Sequence, residues 1–235
     1  MISSEFFKYP STPHLVLLED VLVRDDKVMP DFERNEFLQH ELIIEEKVDG
    51  ANLGISFDTD GNIRAQNRGD YLHVPASGQW SSLKDWLVPR TDAFFDNLGD
   101  RYILFGEWCY ARHSVNYDRL PDWFLGFDVY DKQTGNFLSI SRRDELFQKV
   151  QVESVPFMAR GHFTLGNIES LLAESNFGDQ LAEGICIRHE SGDWLLKRAK
   201  LVRPSFVQQM EQHWSRAGIR KNRLKTEVYA QYADM

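Results

Sequence analysis

Cysteine is scarce in this chain, and long apolar runs are missing. The 235 residues include two cysteines, Cys109 and Cys186. So few thiols argue against a disulfide-stapled scaffold and against a zinc site built on cysteine. No apolar run approaches the ~20 residues of a transmembrane helix, and the first residues lack the basic start and apolar middle of a signal peptide. We therefore expect buried free thiols, a cytoplasmic location and no membrane partner.

Positive charge is also in short supply over most of the chain. The formal net charge is −9, which argues against general electrostatic adhesion to nucleic acid. Residues 194–235 reverse this balance, with nine lysine and arginine residues against three acidic ones. This asymmetry predicts a local basic surface for an anionic partner. A solvated basic helix that balances the acidic body is the alternative. The short basic run consists of Arg216, Arg220, Lys221, Arg223 and Lys225.

Hydrophobic residues make up 42% of the chain, enough at this length to bury one substantial core. Apolar and alternating runs predict strands at 42–44, 53–57, 62–66, 101–108, 123–130, 184–190 and 194–199. Helical spacing predicts helices at 79–98 with a break at Pro89, at 141–152 after a capping box that opens at Ser141, at 168–177, and from Pro204 onward. Strands dominate this pattern, so we expect an α+β fold with helices packed outside the sheets.

The most distinctive segment is Glu-Glu-Lys-Val-Asp-Gly-Ala-Asn at residues 45–52. Lys47 follows one predicted strand and precedes another, and Gly50 lets the backbone turn sharply or come close to a ligand. A lysine acts as a covalent nucleophile when burial or nearby positive charge lowers its pKa, because only the neutral amine attacks. For this short motif alone, a solvent-exposed lysine at a strand end is an equal alternative.

Four further segments follow Lys47 in a fixed order. They are Phe105-Gly106-Glu107-Trp108, the stretch from Trp123 to Tyr130, the stretch from Ala182 to Arg188, and the stretch from Trp194 to Lys200. Each is weak by itself, but five in order are hard to obtain by chance. Together they resemble the ordered motifs of the covalent nucleotidyltransferases, which include ATP-dependent ligases and mRNA capping enzymes. The resemblance covers roughly residues 40 to 205.

Within that superfamily, two residues resemble those of the RNA ligases, specifically of the branch that contains RNA ligase 2. Asn52, five residues after Lys47, occupies a position where DNA ligases and capping enzymes usually have arginine. Arg68 is similar in context to an arginine that RNA ligases use near the nucleotide sugar and the RNA end. The chain also has no room for the OB-fold that DNA ligases and capping enzymes append. We expect an adenylation domain at 1–203 and a basic helical appendage at 204–235.

The resemblance implies the nucleotidyltransferase fold, an ATP-grasp-like ligase architecture with two antiparallel sheets, flanking helices and a nucleotide cleft. It also implies ATP-dependent RNA ligation. In that reaction a lysine takes AMP from ATP, AMP passes to an RNA 5′-phosphate, and an RNA 3′-hydroxyl then displaces it. The implied co-substrate is ATP, the implied metal is Mg²⁺ or Mn²⁺, and the implied partner is RNA with 5′-phosphate and 3′-hydroxyl ends. We expect a monomer; whether a kinase or phosphatase prepares the RNA ends stays open.

The resemblance also assigns catalytic roles to residues of this chain. Lys47 is implied as the nucleophile, and Glu183 as a carboxylate near the catalytic metal. Lysines of the last strand are implied to contact the α-phosphate, and their charge would lower the pKa of Lys47. The family has two such lysines one residue apart, whereas Lys197 and Lys200 are three apart. Lys197 is the first choice because it directly follows the apolar core of the strand, but which of Lys197, Arg198 and Lys200 faces the phosphate stays open.

The remaining implied residues bind the nucleotide. Glu107 is implied near the ribose, where a carboxylate can accept hydrogen bonds from hydroxyls. Phe127 resembles the aromatic residue that stacks on the purine, with Phe124 as the alternative. Glu46 is expected to hold the adenine edge through its backbone or side chain. The predicted nucleotide-binding set is Glu46, Asp49, Gly50, Asn52, Arg68, Glu107 and Phe127.

Two alternative functions stay open from the sequence. One is a compact ligase of DNA or hybrid nicks, or a nucleotidyltransferase that stops at 5′-adenylation of a polynucleotide. The other is an inactive RNA-binding module of the same fold, which is disfavoured because Lys47, Glu107 and Glu183 are all present. For an RNA ligase, the basic run of the C-terminal tail is expected to contact the RNA backbone.

Overall fold

Apolar and alternating segments of the chain form a largely antiparallel sheet. The computed structural model describes residues 6–18, 28–209 and 219–226. Within these ranges the strands are β1 (Leu42–Lys47), β2 (Ala51–Phe57), β3 (Ile63–Gln66), β4 (Tyr71–Leu72), β5 (Tyr102–Trp108), β6 (Phe124–Asp131), β7 (Asn136–Leu138), β8 (Glu153–Ser154), β9 (Phe157–Gly161), β10 (Gly184–Ser191) and β11 (Trp194–Val202). All seven predicted strands are present; β4, β7, β8 and β9 were not predicted.

The two predicted sheets are two halves of one hydrogen-bonded path. Its order is β4-β3-β2-β5-β6-β7-β11-β10-β1-β9, with β8 pairing parallel to β6 beside that path. The short β7 joins the half containing β2, β5 and β6 to the half containing β11, β10 and β1. The prediction of antiparallel β-structure with flanking helices is confirmed. A cleft is left between the two halves.

Each half packs against its own hydrophobic cluster. Behind β2, β5 and β6 lie large aromatic side chains that are almost fully buried, among them Trp86, Trp108 and Phe94. Behind β1, β10 and β11 lies a smaller aliphatic cluster that includes Ile44 and Ile187. Burying a side chain of this size contributes roughly 1.5–3 kcal/mol, so the two clusters hold the halves as rigid walls.

The helices cover the outside of the sheet. They are α1 (Asp31–Phe37), α2 (Leu83–Leu87), α3 (Thr91–Leu98), α4 (Ile140–Val150), α5 (Leu165–Ser170) and α6 (Pro204–Gln209). The predicted helical region at 79–98 is interrupted near Pro89, as expected, by a 3-10 turn at Val88–Arg90. Of the helices described, none has the length and apolar character needed to cross a membrane.

Two helix boundaries differ from the prediction because of their caps. α4 begins at Ile140, and no side chain of its own first turn caps it. Instead the Glu190 carboxylate of β10 accepts a hydrogen bond from the Ile140 amide at 2.9 Å, so the capping box predicted at Ser141 is wrong. α5 begins after Thr164, whose hydroxyl accepts from the Asn167 amide, and it ends at Ser170. The predicted helix at 168–177 is therefore wrong beyond Ser170.

The described part of the basic tail is extended rather than helical. Residues 219–226 run along the loop at 109–120 and form single bridges from Lys221 to Ala111 and from Leu224 to Leu120. Arg216 lies outside the described residues. The appendage was predicted to be helical because apolar residues from Pro204 onward have helical spacing, and α6 does begin at Pro204. Residues 219–226 instead bridge to the loop and form part of the domain surface.

Candidate active site

A cleft that is open to solvent lies between the two halves of the sheet. The space in it, with the solvent at its mouth included, is about 750 Å³. Side chains from both halves and from the N-terminal segment (residues 6–18) line it. The predicted site residues that line the cleft are Glu46, Lys47, Asn52, Arg68, Glu107, Phe127 and Lys200.

Strand register decides which cations of β11 face the cleft. Side chains alternate across a strand, so residues 198 and 200 share one face and residue 197 lies on the other. Arg198 and Lys200 line the cleft, whereas the Lys197 amine lies 3.2 Å from a Glu33 carboxylate oxygen of α1. The structure therefore does not support Lys197 as the first choice for the phosphate. Arg198 and Lys200 are separated by one residue, as are the two lysines of the pattern described above, with arginine in place of the first lysine.

Lys47 is held by a carboxylate at the end of β1. Its amine donates a hydrogen bond to the Glu183 Oε2 atom at 2.6 Å. Burial by itself lowers the pKa of Lys47, but attraction to Glu183 and Glu107 outweighs it and raises the pKa above its usual value. The expectation that cations lower this pKa is thus not met in the nucleotide-free protein, because two carboxylates act on the amine more strongly than the β11 cations. Lys47 is protonated here.

Glu183 owes its position to the glycine that follows it. Gly184 is paired with Lys47 on one side and Val202 on the other. A Cβ atom at Gly184 would lie 2.2 Å from the Leu201 carbonyl oxygen. Only glycine lets β10 and β11 come this close, and this contact places the Glu183 carboxylate beside Lys47.

Asp49 and Gly50 support the site from behind. The Asp49 carboxylate accepts hydrogen bonds from the amides of Ser114 and Val115 at 2.6 and 2.9 Å. A Cβ atom at Gly50 would lie 2.8 Å from the Trp108 carbonyl oxygen. Neither residue lines the cleft. Asp49 and Gly50 therefore hold the turn after Lys47 against the loop at 109–120 and are not placed to contact a nucleotide.

Asn222 of the tail fixes that same loop, and sequence reasoning missed it. This side chain is 1% exposed. Its amide donates to the Cys109 carbonyl at 2.8 Å, and its oxygen accepts from the Tyr117 amide at 3.0 Å. The Tyr117 hydroxyl in turn accepts from the Asp49 amide at 2.7 Å. An asparagine inside a basic run carries no sequence signal for burial, which explains why it was not predicted.

Asn52 and Glu107 present buried polar atoms that lack protein partners. They are paired across β2 and β5. Both polar atoms of the Asn52 side chain and the Oε2 atom of Glu107 are buried without a hydrogen-bond partner among the described residues. Such groups destabilise a fold by roughly 1–3 kcal/mol each unless something binds them. A ligand with hydroxyl groups, such as a ribose, would satisfy them.

Burial also changes the acidity of Glu107. Desolvation raises the pKa of its carboxyl to about 7, against the opposing attraction of Lys47. Arg68, which is exposed at the mouth of the cleft, also attracts this carboxylate. The group is therefore close to half-ionised at neutral pH, so its hydrogen-bonding character depends on pH.

Phe127, rather than Phe124, faces the cleft. Phe127 is half-buried and lines the cleft, whereas Phe124 is fully buried in the aromatic cluster. The Glu46 carboxylate is already engaged, since it accepts hydrogen bonds from the Ser175 hydroxyl and from the Asn176 amide. Its side chain is therefore committed to the loop after α5, and its part in adenine contact would fall to the backbone.

A buried charge network forms the floor of the cleft near Phe127. Asp128 accepts hydrogen bonds from the Tyr9 hydroxyl and from the guanidinium groups of Arg188 and Arg198, each at 2.5 Å. Burial tends to raise the pKa of Asp128, but the two arginines outweigh it and hold the pKa below its usual value. Sequence reasoning did not predict the contribution of Tyr9, because nothing in the sequence shows that the N-terminal segment crosses the sheet here.

The acidic residues fit a metal held largely by water and phosphate. Among the described residues, no group of three or more histidine, cysteine, aspartate or glutamate side chains could hold a metal ion. Magnesium usually keeps several waters and binds one or two carboxylates together with substrate phosphates. Glu183, which contacts the cleft residue Lys47, would supply one such carboxylate. The two cysteines are free, with Cys109 buried and Cys186 half-buried in the cleft wall.

The described cations of the tail lie on the surface. In the extended segment Asn222 and Leu224 are buried, while residues 221, 223 and 225 between and beside them are exposed. The exposed basic residues are Arg220, Lys221, Arg223 and Lys225. Three side chains of one sign thus project from one face of a segment that the protein body holds in place.

One protein-family model matches most of this chain. The family model described as RNA ligase matches residues 40–202. Solved structures of Naegleria gruberi RNA ligase share the fold. An apo mutant has a TM-score of 0.61 at 16% identity, with 86% of this chain and 57% of that chain covered. The complex with PPi has a TM-score of 0.60 at 17% identity, with 88% and 65% covered.

A third Naegleria gruberi structure, a mutant with ATP and Mn, has a TM-score of 0.58 at 18% identity, with 75% of this chain and 53% of that chain covered. The chain thus spans less than two thirds of the length of these structures. No curated protein matches the sequence.

Proposed function

Because this chain belongs to the RNA ligase family, we propose that it is an ATP-dependent RNA ligase that joins 5′-phosphate and 3′-hydroxyl ends through lysyl-AMP and adenylylated RNA. One observation carries the proposal. Lys47 lines the cleft and donates a hydrogen bond to Glu183, and the same cleft is lined by Asn52 and Glu107, whose buried polar atoms have no partner among the described residues. That arrangement supplies a nucleophile, a proton acceptor and binding groups for a ribose.

In the first step the Lys47 amine attacks the α-phosphorus of ATP. An N–P bond forms, the bond from the α-phosphorus to the bridging oxygen of pyrophosphate breaks, and pyrophosphate leaves. The amine must lose a proton before its lone pair can attack. Glu183, at 2.6 Å, is the acceptor in reach.

Charge in this step is balanced by cations of the cleft. Lys200 and Arg198 share the cleft face of β11 and would attract the phosphates. A divalent metal, held by Glu183 and the phosphates, would neutralise charge on the α-phosphate and on the leaving pyrophosphate. Glu183 has two carboxylate oxygens, so it can contact both the metal and Lys47. Asn52, Glu107 and Phe127 orient the nucleoside.

The later steps need RNA at the cleft mouth. The RNA 5′-phosphate takes AMP from Lys47, and the 3′-hydroxyl then displaces AMP to form the phosphodiester. The exposed tail cations Lys221, Arg223 and Lys225 lie beside the loop at 109–120, which the Asp49 carboxylate joins to the Lys47 turn. Phosphate contacts from such residues give affinity without sequence preference. We assign them, with Arg220 and Arg216, to the RNA backbone.

Labelled ATP tests the proposal directly. Incubation with α-labelled ATP and magnesium should give labelled protein on a denaturing gel, and Lys47→Ala should give none. The labelled protein is then offered nicked RNA, nicked DNA and mixed duplexes in separate reactions. Sealing of RNA is expected. Persistent labelling of Lys47→Ala would show that Lys47 is not the nucleophile. A reaction that stops at a 5′-adenylated polynucleotide would show that the protein is a nucleotidyltransferase instead of a ligase.

A further inference from the structure

The N-terminal segment crosses the cleft between two firm anchors. At one end Tyr9 is buried, with its hydroxyl on Asp128 and its ring 4.4 Å from the Arg198 guanidinium carbon. At the other end Leu15 is fully buried in the aliphatic cluster. Between these anchors lies Pro10-Ser11-Thr12-Pro13, of which Ser11 and Thr12 line the cleft.

The second anchor also attaches the segment to β11 beside a cleft cation. The Lys200 amide donates to the Pro13 carbonyl at 2.9 Å, and the Leu15 amide donates to the Lys200 carbonyl at 2.7 Å. His14 is thereby paired in parallel with Lys200. Tyr9 contacts Arg198 and Pro13 contacts Lys200, so the three residues between them, Pro10, Ser11 and Thr12, run beside this part of β11.

Ser11 and Thr12 line the cleft at this position. Proline on each side fixes one backbone dihedral and restricts the residue before it, so the pair is held with little freedom. A hydroxyl group can both donate and accept hydrogen bonds, and the hydroxyls of Ser11 and Thr12 would donate to a bound anion. Two hydroxyl-bearing residues that share the cleft lining with Arg198 and Lys200 form a surface suited to an anion with several oxygens.

We propose that Ser11 and Thr12 bind the phosphate groups of the nucleotide, with their hydroxyls donating to phosphate oxygens beside Lys200. This inference rests on the proposed function, since it takes the ligand of the cleft to be a nucleotide. It adds Ser11 and Thr12, which precede the first motif in sequence, to the site formed by the five motifs.

Binding of two matched ligands tests this assignment. The ligands are α,β-methylene-ATP, whose bridge resists transfer to Lys47, and adenosine, which has no phosphate. The variants are Ser11→Ala, Thr12→Val and the double variant. Thr134→Val is the control, because Thr134 is exposed on the β6–β7 turn away from the cleft. Calorimetry gives the dissociation constants, and thermal melts confirm that each variant folds.

Each hydroxyl removed should raise the Kd for α,β-methylene-ATP about tenfold, the usual loss for a hydrogen bond to a charged group. The Kd for adenosine should change less than about twofold, and Thr134→Val should change neither. Unchanged α,β-methylene-ATP binding in the double variant, or equal losses for both ligands, would overturn the assignment. If the wild-type protein is labelled by ATP at Lys47, the proposed function stands whichever way the Ser11 and Thr12 variants behave. If the wild-type protein binds neither α,β-methylene-ATP nor adenosine, both the proposed function and this assignment are refuted.

Discussion

Replacing Glu107 by glutamine should change the pH dependence of stability in a defined direction. Burial raises the pKa of this carboxyl from 4.5 to about 7 in the folded protein. As pH rises above 4.5 the unfolded chain loses this proton while the folded protein keeps it. The unfolded state then binds fewer protons, so stability falls with rising pH until the folded carboxyl also ionises near pH 7.

The size of the effect follows from the pKa difference. At 1.36 kcal/mol per unit, ionised Glu107 destabilises the fold by up to about 3 kcal/mol above pH 8 and by only about 1 kcal/mol at pH 5.5. Glutamine has nearly the same shape and carries no charge at any pH. The variant should therefore exceed the wild type in stability, and its advantage should grow by about 2 kcal/mol between pH 5.5 and 8.5.

Urea denaturation of the nucleotide-free protein at several pH values measures this difference. Glu153→Gln is the matched control, because Glu153 is exposed on β8 and the same change there should leave the pH profile unaltered. If Glu107→Gln and wild type differ by the same amount at pH 5.5 and 8.5, Glu107 is not a desolvated acid. If the variant loses stability at high pH, the carboxylate is stabilised by Lys47 more than burial penalises it, and the reasoning fails.

Two further predictions concern the cations. Lys200→Ala should lower the rate of lysyl-AMP formation by about tenfold or more. Lys197→Ala, on the opposite face of the same strand, should leave that rate near normal. Time courses of protein labelling measure both rates, and equal losses in the two variants would contradict the strand register. Neutralising Lys221, Arg223 and Lys225 together should weaken RNA binding and reduce its salt slope by roughly one unit for each phosphate contact, with lysyl-AMP formation retained. An unchanged salt slope in filter binding would show that RNA lies elsewhere.

Sequence alone determined the parts of this protein that depend on local pattern. Apolar and alternating runs defined the strands that build the cleft, because a strand buried on both faces is apolar throughout and a strand with one buried face alternates. Fixed order and spacing of motifs led to the family and to Lys47, Glu183, Asn52 and Glu107 as candidates. These residues come together because each lies in or next to a strand whose pairing the motif itself specifies.

Tertiary structure decided which side chains face the cleft. A shift of one residue turns a strand side chain to the opposite face, so spacing could not separate Lys197 from Arg198 and Lys200. Likewise, both Phe124 and Phe127 fit the aromatic motif, and the bulge in the β5–β6 register between Phe105 and Gly106 could not be read from composition.

Contacts between distant parts of the chain were beyond the sequence for a different reason. Tyr9 on Asp128 and Asn222 on the loop at 109–120 join residues more than a hundred positions apart. No periodicity or motif links such positions. Their burial is set by the surface that the folded sheet offers, which exists only once the rest of the chain has packed.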